Sequence, residues 1–180
     1  MKTVIIFCLM VSQLMTASFA QTSEGINKEK MKAFEAWVGR WQGEGAIQMG
    51  PGEPKKSNVD EHIQAKLDGT VLLIEGIGKA KRDNSQEETV VHHALAILSY
   101  DPKTDEYKLN AHLKDGKSAD AWIKIVGENK YQWGFDVPNG KIRYSITLDP
   151  IQKTWNEIGE FLREGSAWAK FFEMNLKKTE

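Results

Sequence analysis

The chain has 180 residues, with 24 basic and 25 acidic side chains, 41% hydrophobic and 27% charged. This is an ordinary globular composition, and its balanced charge lacks the clustered positive residues of a nucleic-acid footprint. The single cysteine, Cys8, excludes a disulfide framework.

Residues 1–20 read as a signal peptide. Lys2 is a positive n-region, Val4 to Val11 an apolar h-region, and Ser18-Phe19-Ala20 the small residues of a cleavage site. The apolar run is too short to cross ~30 Å of hydrocarbon, which takes roughly 20 residues. Export to the periplasm or the exterior, with cleavage after Ala20 and no membrane span afterwards, is the expectation. Cys8 lies inside the h-region, so no lipid-modified N-terminus is expected. Cleavage takes Lys2 and no acidic residue, leaving 23 basic against 25 acidic side chains and a net charge of −2. The remaining 21–180 form one domain that must be stabilised by core burial, and ~150 residues suffice for that.

Gln21 to Asn27 is polar. The spacing of Met31, Phe34, Trp37 and Val38 predicts a short helix over 28–37 with Asn27 as its N-cap, placed to lid one end of the fold. The next stretch, Trp37-Val38-Gly39-Arg40-Trp41-Gln42-Gly43-Glu44-Gly45, alternates. Trp41, Gly43, Gly45 and Ile47 take one face, and Gln42, Glu44 and Ala46 the other. Glycines beside a large ring in a strand point to close backbone approach and strong bending, as where a sheet curls into a barrel.

Further strands are expected over 58–67, 71–80, 89–100, 107–113, 119–126, 131–137, 142–148, 155–162 and 168–176. Turn signals separate them, among them Met49-Gly50-Pro51-Gly52-Glu53-Pro54, a charged loop over 82–88, Asp115-Gly116 and Pro138-Asn139-Gly140. About ten evenly spaced strands without βαβ alternation or a fixed repeat predict an all-β fold: a single antiparallel barrel with a short N-terminal helix.

Gly39-Arg40-Trp41 resembles the Gly-x-Trp signature of the calycin superfamily, which includes lipocalins and fatty-acid-binding proteins. Trp41-Gln42-Gly43-Glu44-Gly45, then Ser99-Tyr100-Asp101-Pro102 and Tyr107, look like a family of uncharacterised exported bacterial lipocalin-like proteins. The resemblance implies a lipocalin-like barrel. It also implies a basic residue near the last strands packed across Trp41, for which Arg163 and Lys170 are the candidates. Gly39, Trp41 and Arg163 are the expected barrel-closing set. The Trp-x-Gly-Glu-Gly opening also resembles nitrobindin-like haem barrels. Those use a late histidine as iron ligand, whereas no histidine here follows His112 and the last strand offers only Met174. No cofactor and no metal site is therefore expected.

The interior candidates follow from alternation. Tyr131, Trp133 and Phe135 share a strand face, as do Trp168 and Phe172, and Tyr144 and Trp122 add rings with polar tips. Glu157 and Glu160 fall on opposite faces of one strand, so one of them can point inward. Arg143 has the opposite parity to Tyr144, which leaves open which of the two faces the cavity. The expected cavity lining is Trp41, Tyr131, Trp133, Phe135, Tyr144, Glu157, Trp168 and Phe172.

A barrel of this strand count holds more interior than side chains fill, so the leading expectation is non-enzymatic binding of a small apolar or amphipathic molecule. No nucleic-acid partner is expected, and oligomeric state is not read from the sequence. No catalytic motif is recognisable. His92 and His93 must face opposite sides of their strand. An enzyme pairing His62 or His93 with Glu157, or an accessory envelope protein with a filled barrel, are the alternatives.

Overall fold

The computed structural model describes residues 22–81 and 87–180. The expected signal peptide lies outside the described residues, as do positions 82–86 of the charged loop.

The helix α1 spans Ser23–Met31 and starts earlier than its apolar spacing predicted. Thr22 is the N-cap, its Oγ1 accepting from the Gly25 backbone N–H at 3.2 Å, and Asn27 sits inside the helix. The chain then tightens into a 3-10 segment over Lys32–Trp37. Side chains three apart eclipse in that winding, which brings Phe34 and Trp37 to one edge, and both are buried.

Ten antiparallel strands follow: β1 Gly39–Ile47, β2 Lys55–Lys66, β3 Val71–Lys81, β4 Glu88–Asp101, β5 Glu106–Leu113, β6 Ser118–Gly127, β7 Lys130–Val137, β8 Gly140–Asp149, β9 Thr154–Arg163 and β10 Ala169–Lys178. Each pairs with its neighbour in sequence, and β1 pairs with β10 to close the ring. Closure leaves no unpaired edge. The expected all-β barrel with a short N-terminal helix is the fold observed. No helix among the described residues is long and apolar enough to cross a membrane.

Register fixes every strand's inner face, because directly opposed residues point the same way. Trp41 lies opposite Glu61 on one side and Lys178 on the other, and Gly43 opposite Val59 and Leu176. The β10 backbone comes close at Gly43, where any Cβ would collide with the Asn175 backbone carbonyl.

One end of the barrel is solid. Phe34 and Trp37 enter it and pack edge-on, 5.2 Å between centroids. Phe34 also meets Tyr107 at 5.0 Å and Tyr131 at 5.2 Å, and Trp37 meets Trp155 at 4.7 Å. Trp41 donates its indole N–H to the Trp37 carbonyl at 2.8 Å, and Tyr131 its hydroxyl to the Ala33 carbonyl at 2.9 Å. The plug is thus anchored by hydrogen bonds as well as by buried rings.

Candidate functional site

Away from the plug, the inner wall has two unlike halves. On β3 to β6 the register turns Gly76, Gly78, Ala94, Ala96, Ala111, Ala119 and Ala121 inward. On β7 to β10 it turns Trp133, Phe135, Tyr144, Phe161 and Phe172 inward. A wall of glycine and alanine thus faces a wall of rings, and the accessibilities are those expected of space between them. Most inward residues at the plug are buried, whereas Val59, Glu61, Ala96, Ala111, Trp133, Phe135, Tyr144 and Phe172 keep accessible surface although they point into the barrel.

Trp133 and Tyr144 stack face to face, 4.1 Å apart and 9° from parallel, and Phe172 meets Tyr144 edge-on at 5.8 Å. Gly159, opposite Tyr144, makes room for both, since a Cβ there would stand 2.8 Å from the Tyr144 ring and 2.9 Å from Phe172.

Two carboxyls face this space. Glu157, 6% exposed, accepts the Trp133 indole N–H on Oε1 at 2.8 Å and the Trp155 indole N–H on Oε2 at 3.2 Å. Burial pushes its pKa up to about 7, and the two N–H donors oppose the rise. Glu61 is held deep within the wall yet keeps part of its surface toward the lumen. Burial first, then the charges of Glu157 and Asp60, push it up to about 8. Tyr144 is raised as well, by burial and then by Glu157. Among the described residues no hydrogen bond or ion pair reaches the Glu61 carboxyl.

The expected lining residues Trp41, Tyr131, Trp133, Phe135, Tyr144, Glu157 and Phe172 are placed inside the barrel, Trp41 and Tyr131 in the plug and the other five around the space. Trp168 is not. It precedes β10, whose register shifts between Lys170 and Phe172, and it lies on the outer wall with the Arg143 guanidinium 4.1 Å from its ring. Arg143 faces outward with it, paired to Glu160 at 2.6 Å. Trp122 is also outside, its ring over Gly134 and under Lys124 at 5.7 Å.

Gly39 closes the barrel seam with φ +131°, where a side chain would strike the Glu180 carbonyl. Arg163 does not cover Trp41, because it ends β9 opposite Gly140, at the far end from Trp155 and the plug. Lys170 pairs with Glu173. The cation over Trp41 is Lys178, 5.3 Å from the ring, brought there by the β1–β10 register.

Sequence reasoning passed over Glu61. The signal available was its position in an alternating strand, and the missing fact was that β2 pairs with β1 so as to set Glu61 beside inward Trp41.

His62 and His93 both face outward, to Gln64 at 3.1 Å and Glu75 at 2.9 Å, so neither joins Glu157. His112 shares the outward face of Leu95. His92 alone turns inward, at the mouth beside Gly78, with its pKa lowered by desolvation and then by His93. Among the described residues no group of three or more His, Cys, Asp or Glu is placed to hold a metal ion. A separate depression of about 330 Å³ lies along the outside of β1 to β3, lined by Gln42, Asn58, Asp60, Ile77 and Lys79. It opens to solvent, and its Asp60 is already held by Arg40 and Gln42.

The barrel is similar to the structure of the S-type phycobiliprotein lyase CPES from Guillardia theta. The TM-score is 0.55 and the identity 11%, over 88% of this chain and 98% of that one. At that identity the likeness concerns the fold alone. No family model matches the chain, and no curated protein matches it.

Proposed function

We propose that this chain is an exported, non-enzymatic binding protein whose ligand is a small apolar or amphipathic molecule held in the open half of the barrel. One observation carries the reading. Inward-facing side chains there, Trp133, Phe135, Tyr144 and Phe172 among them, keep accessible surface although the ring of strands encloses them. Apolar surface left uncovered inside a barrel is a standing gain for any ligand that covers it, about 25 cal/mol per Å². The resemblance to lipocalin-like barrels and the calycin-like fold support the same reading.

Export rests on Lys2, the apolar run to Val11 and Ser18-Phe19-Ala20. The mature chain then begins at Gln21, carries no membrane span and has no nucleic acid among its partners.

Titrating the purified mature protein with the neutral probe N-phenyl-1-naphthylamine tests the reading. Saturable uptake at one site, abolished by Ala111→Phe in a chain that keeps its far-UV spectrum, is the expected result. No saturable uptake by the parent chain overturns it. The N-terminal mass of protein from the exported fraction checks cleavage after Ala20, and an intact Met1 there overturns that part.

A further inference from the structure

We infer that Glu61 and Glu157 form a receptor for a basic nitrogen, so that the molecule this barrel takes has an apolar or aromatic body bearing an amine or a protonated heterocycle. This deepens the binding reading above and rests on it.

The argument starts from an imbalance. Two carboxyls face the same enclosed space, and no cation of the described chain meets them there. Register turns the lysines and arginines of the surrounding strands outward: Arg40 to Asp60, Arg143 to Glu160, Lys108 to Asp101, Lys170 to Glu173. Lys178 is inward only beneath Trp41, at the plugged end. The groups that share the lumen with Glu61 are Glu157 from β9, Tyr144 from β8 and, toward the mouth, His92 from β4. Lys55 and Arg163 have inward parity but lie exposed at the rim. Glu61 keeps part of its surface open to the lumen, and among the described residues nothing pairs its carboxyl.

The two carboxyls are also unlike in a useful way. Glu157 is fixed in place, one indole N–H on each oxygen, with lone pairs left over. Among the described residues nothing holds Glu61, and Gly76 opposite it supplies the gap its head occupies, since a Cβ there would stand 2.5 Å from Oε1. One acceptor is fixed and the other adjusts, so a cation of either one or several N–H donors can be met. The Trp133–Tyr144 stack beside Glu157 supplies π faces for the body of such a molecule and for its positive charge. A divalent metal fits less well, because hard cations take six or more oxygens.

Three naphthalene probes of one shape test this by calorimetry at pH 8.5, where Glu61 and Glu157 are ionised: 1-naphthylmethylamine, 1-naphthalenemethanol and 1-naphthaleneacetic acid. The amine is expected to bind about tenfold or more tighter than the alcohol, in line with hydrogen bonds to charged groups, and the acid weakest. Glu61→Gln is expected to shrink the amine's advantage to about twofold while the alcohol still binds. Glu157→Gln, which keeps an oxygen for Trp133, is expected to reduce the advantage in part. Equal binding of amine and alcohol by the parent protein overturns the inference and leaves the cavity reading standing. So does an amine advantage that survives both substitutions. If none of the three probes binds, the cavity reading falls and takes this inference with it.

Discussion

The carboxyl of Glu61 lies over bare backbone at Gly76: a Cβ at position 76 would stand 2.5 Å from Oε1 and 2.8 Å from Oε2. The obstacle is the free end of a side chain, which can swing aside. Gly76→Ala is therefore expected to fold with a stability change of about 1 kcal/mol or less, while displacing Glu61 from its place. Gly43→Ala should behave differently, because its Cβ meets the Asn175 backbone carbonyl in the next strand and neither partner can yield. A loss of about 2–3 kcal/mol is expected there, within the range for overpacked sites. Urea denaturation of both variants checks the contrast, and equal losses would contradict this account of the two glycines.

Stability should fall with rising pH through the neutral range. Glu61, raised from 4.5 to about 8, and Glu157, raised to about 7, hold protons in the folded chain that the unfolded chain has already released. The folded state then binds more protons, so unfolding free energy declines as pH climbs from about 4.5 to about 8 and levels off above. His92, lowered from 6.5 by desolvation, works in the opposite sense as pH falls. The difference between variants is therefore the measurement, rather than the slope of the parent protein. Glu61→Gln should be more stable than the parent by on the order of 2 kcal/mol at pH 8.5 and nearly equal at pH 4.5. The lowered aspartates, Asp60, Asp101, Asp105 and Asp115, titrate below this window and do not disturb the comparison.

Trp133 ties the carboxyl to the aromatic wall. Trp133→Phe keeps a ring against Tyr144 and removes the N–H that Glu157 Oε1 accepts at 2.8 Å. Losing a donor to a buried carboxylate should destabilise the protein by about 1–3 kcal/mol at pH 8.5. It should also raise the Glu157 pKa further, since one of two opposing influences is gone. A pH titration of the Glu157 side chain by NMR reads the second effect directly, and an unmoved or lowered midpoint would count against the assigned hydrogen bond.

Much of this barrel was legible in the residues, and the misses have a common cause. Alternation and turn chemistry located the strands, and Gly39-Arg40-Trp41 located the closing seam, because those signals are local. The same alternation put Trp133 and Phe135 on one shared face but left open whether that face turns inward. What it could not carry was register between strands and the bulges that shift it. Trp168 was expected beside Phe172, but the irregularity between Lys170 and Phe172 breaks the count. Lys178 covers Trp41 because β1 and β10 pair, a contact across 137 positions that no spacing announces. Glu61 went unnoticed for the same reason, since its face is decided by the partner strand. The helix began early because Thr22 caps it, a polar side-chain effect that the apolar period does not register.

The plug offers the sharpest test of how the fold is held. Phe34 has no exposed surface and touches Trp37, Tyr107 and Tyr131 with ring centroids 5.0–5.2 Å away. It comes from a 3-10 turn of six residues, too short to persist without tertiary contacts. Phe34→Ala should therefore cost about 3–5 kcal/mol, the range for a buried ring deleted without collapse of its site. The loss should be local in origin: protection of the 22–37 amides against hydrogen exchange falls first, and the barrel strands follow only as global stability declines. Exchange measured by mass spectrometry separates the two. Uniform loss of protection across β1 to β10 with the helix unchanged would mean that the plug does not anchor the segment, and that the barrel alone carries this end of the molecule.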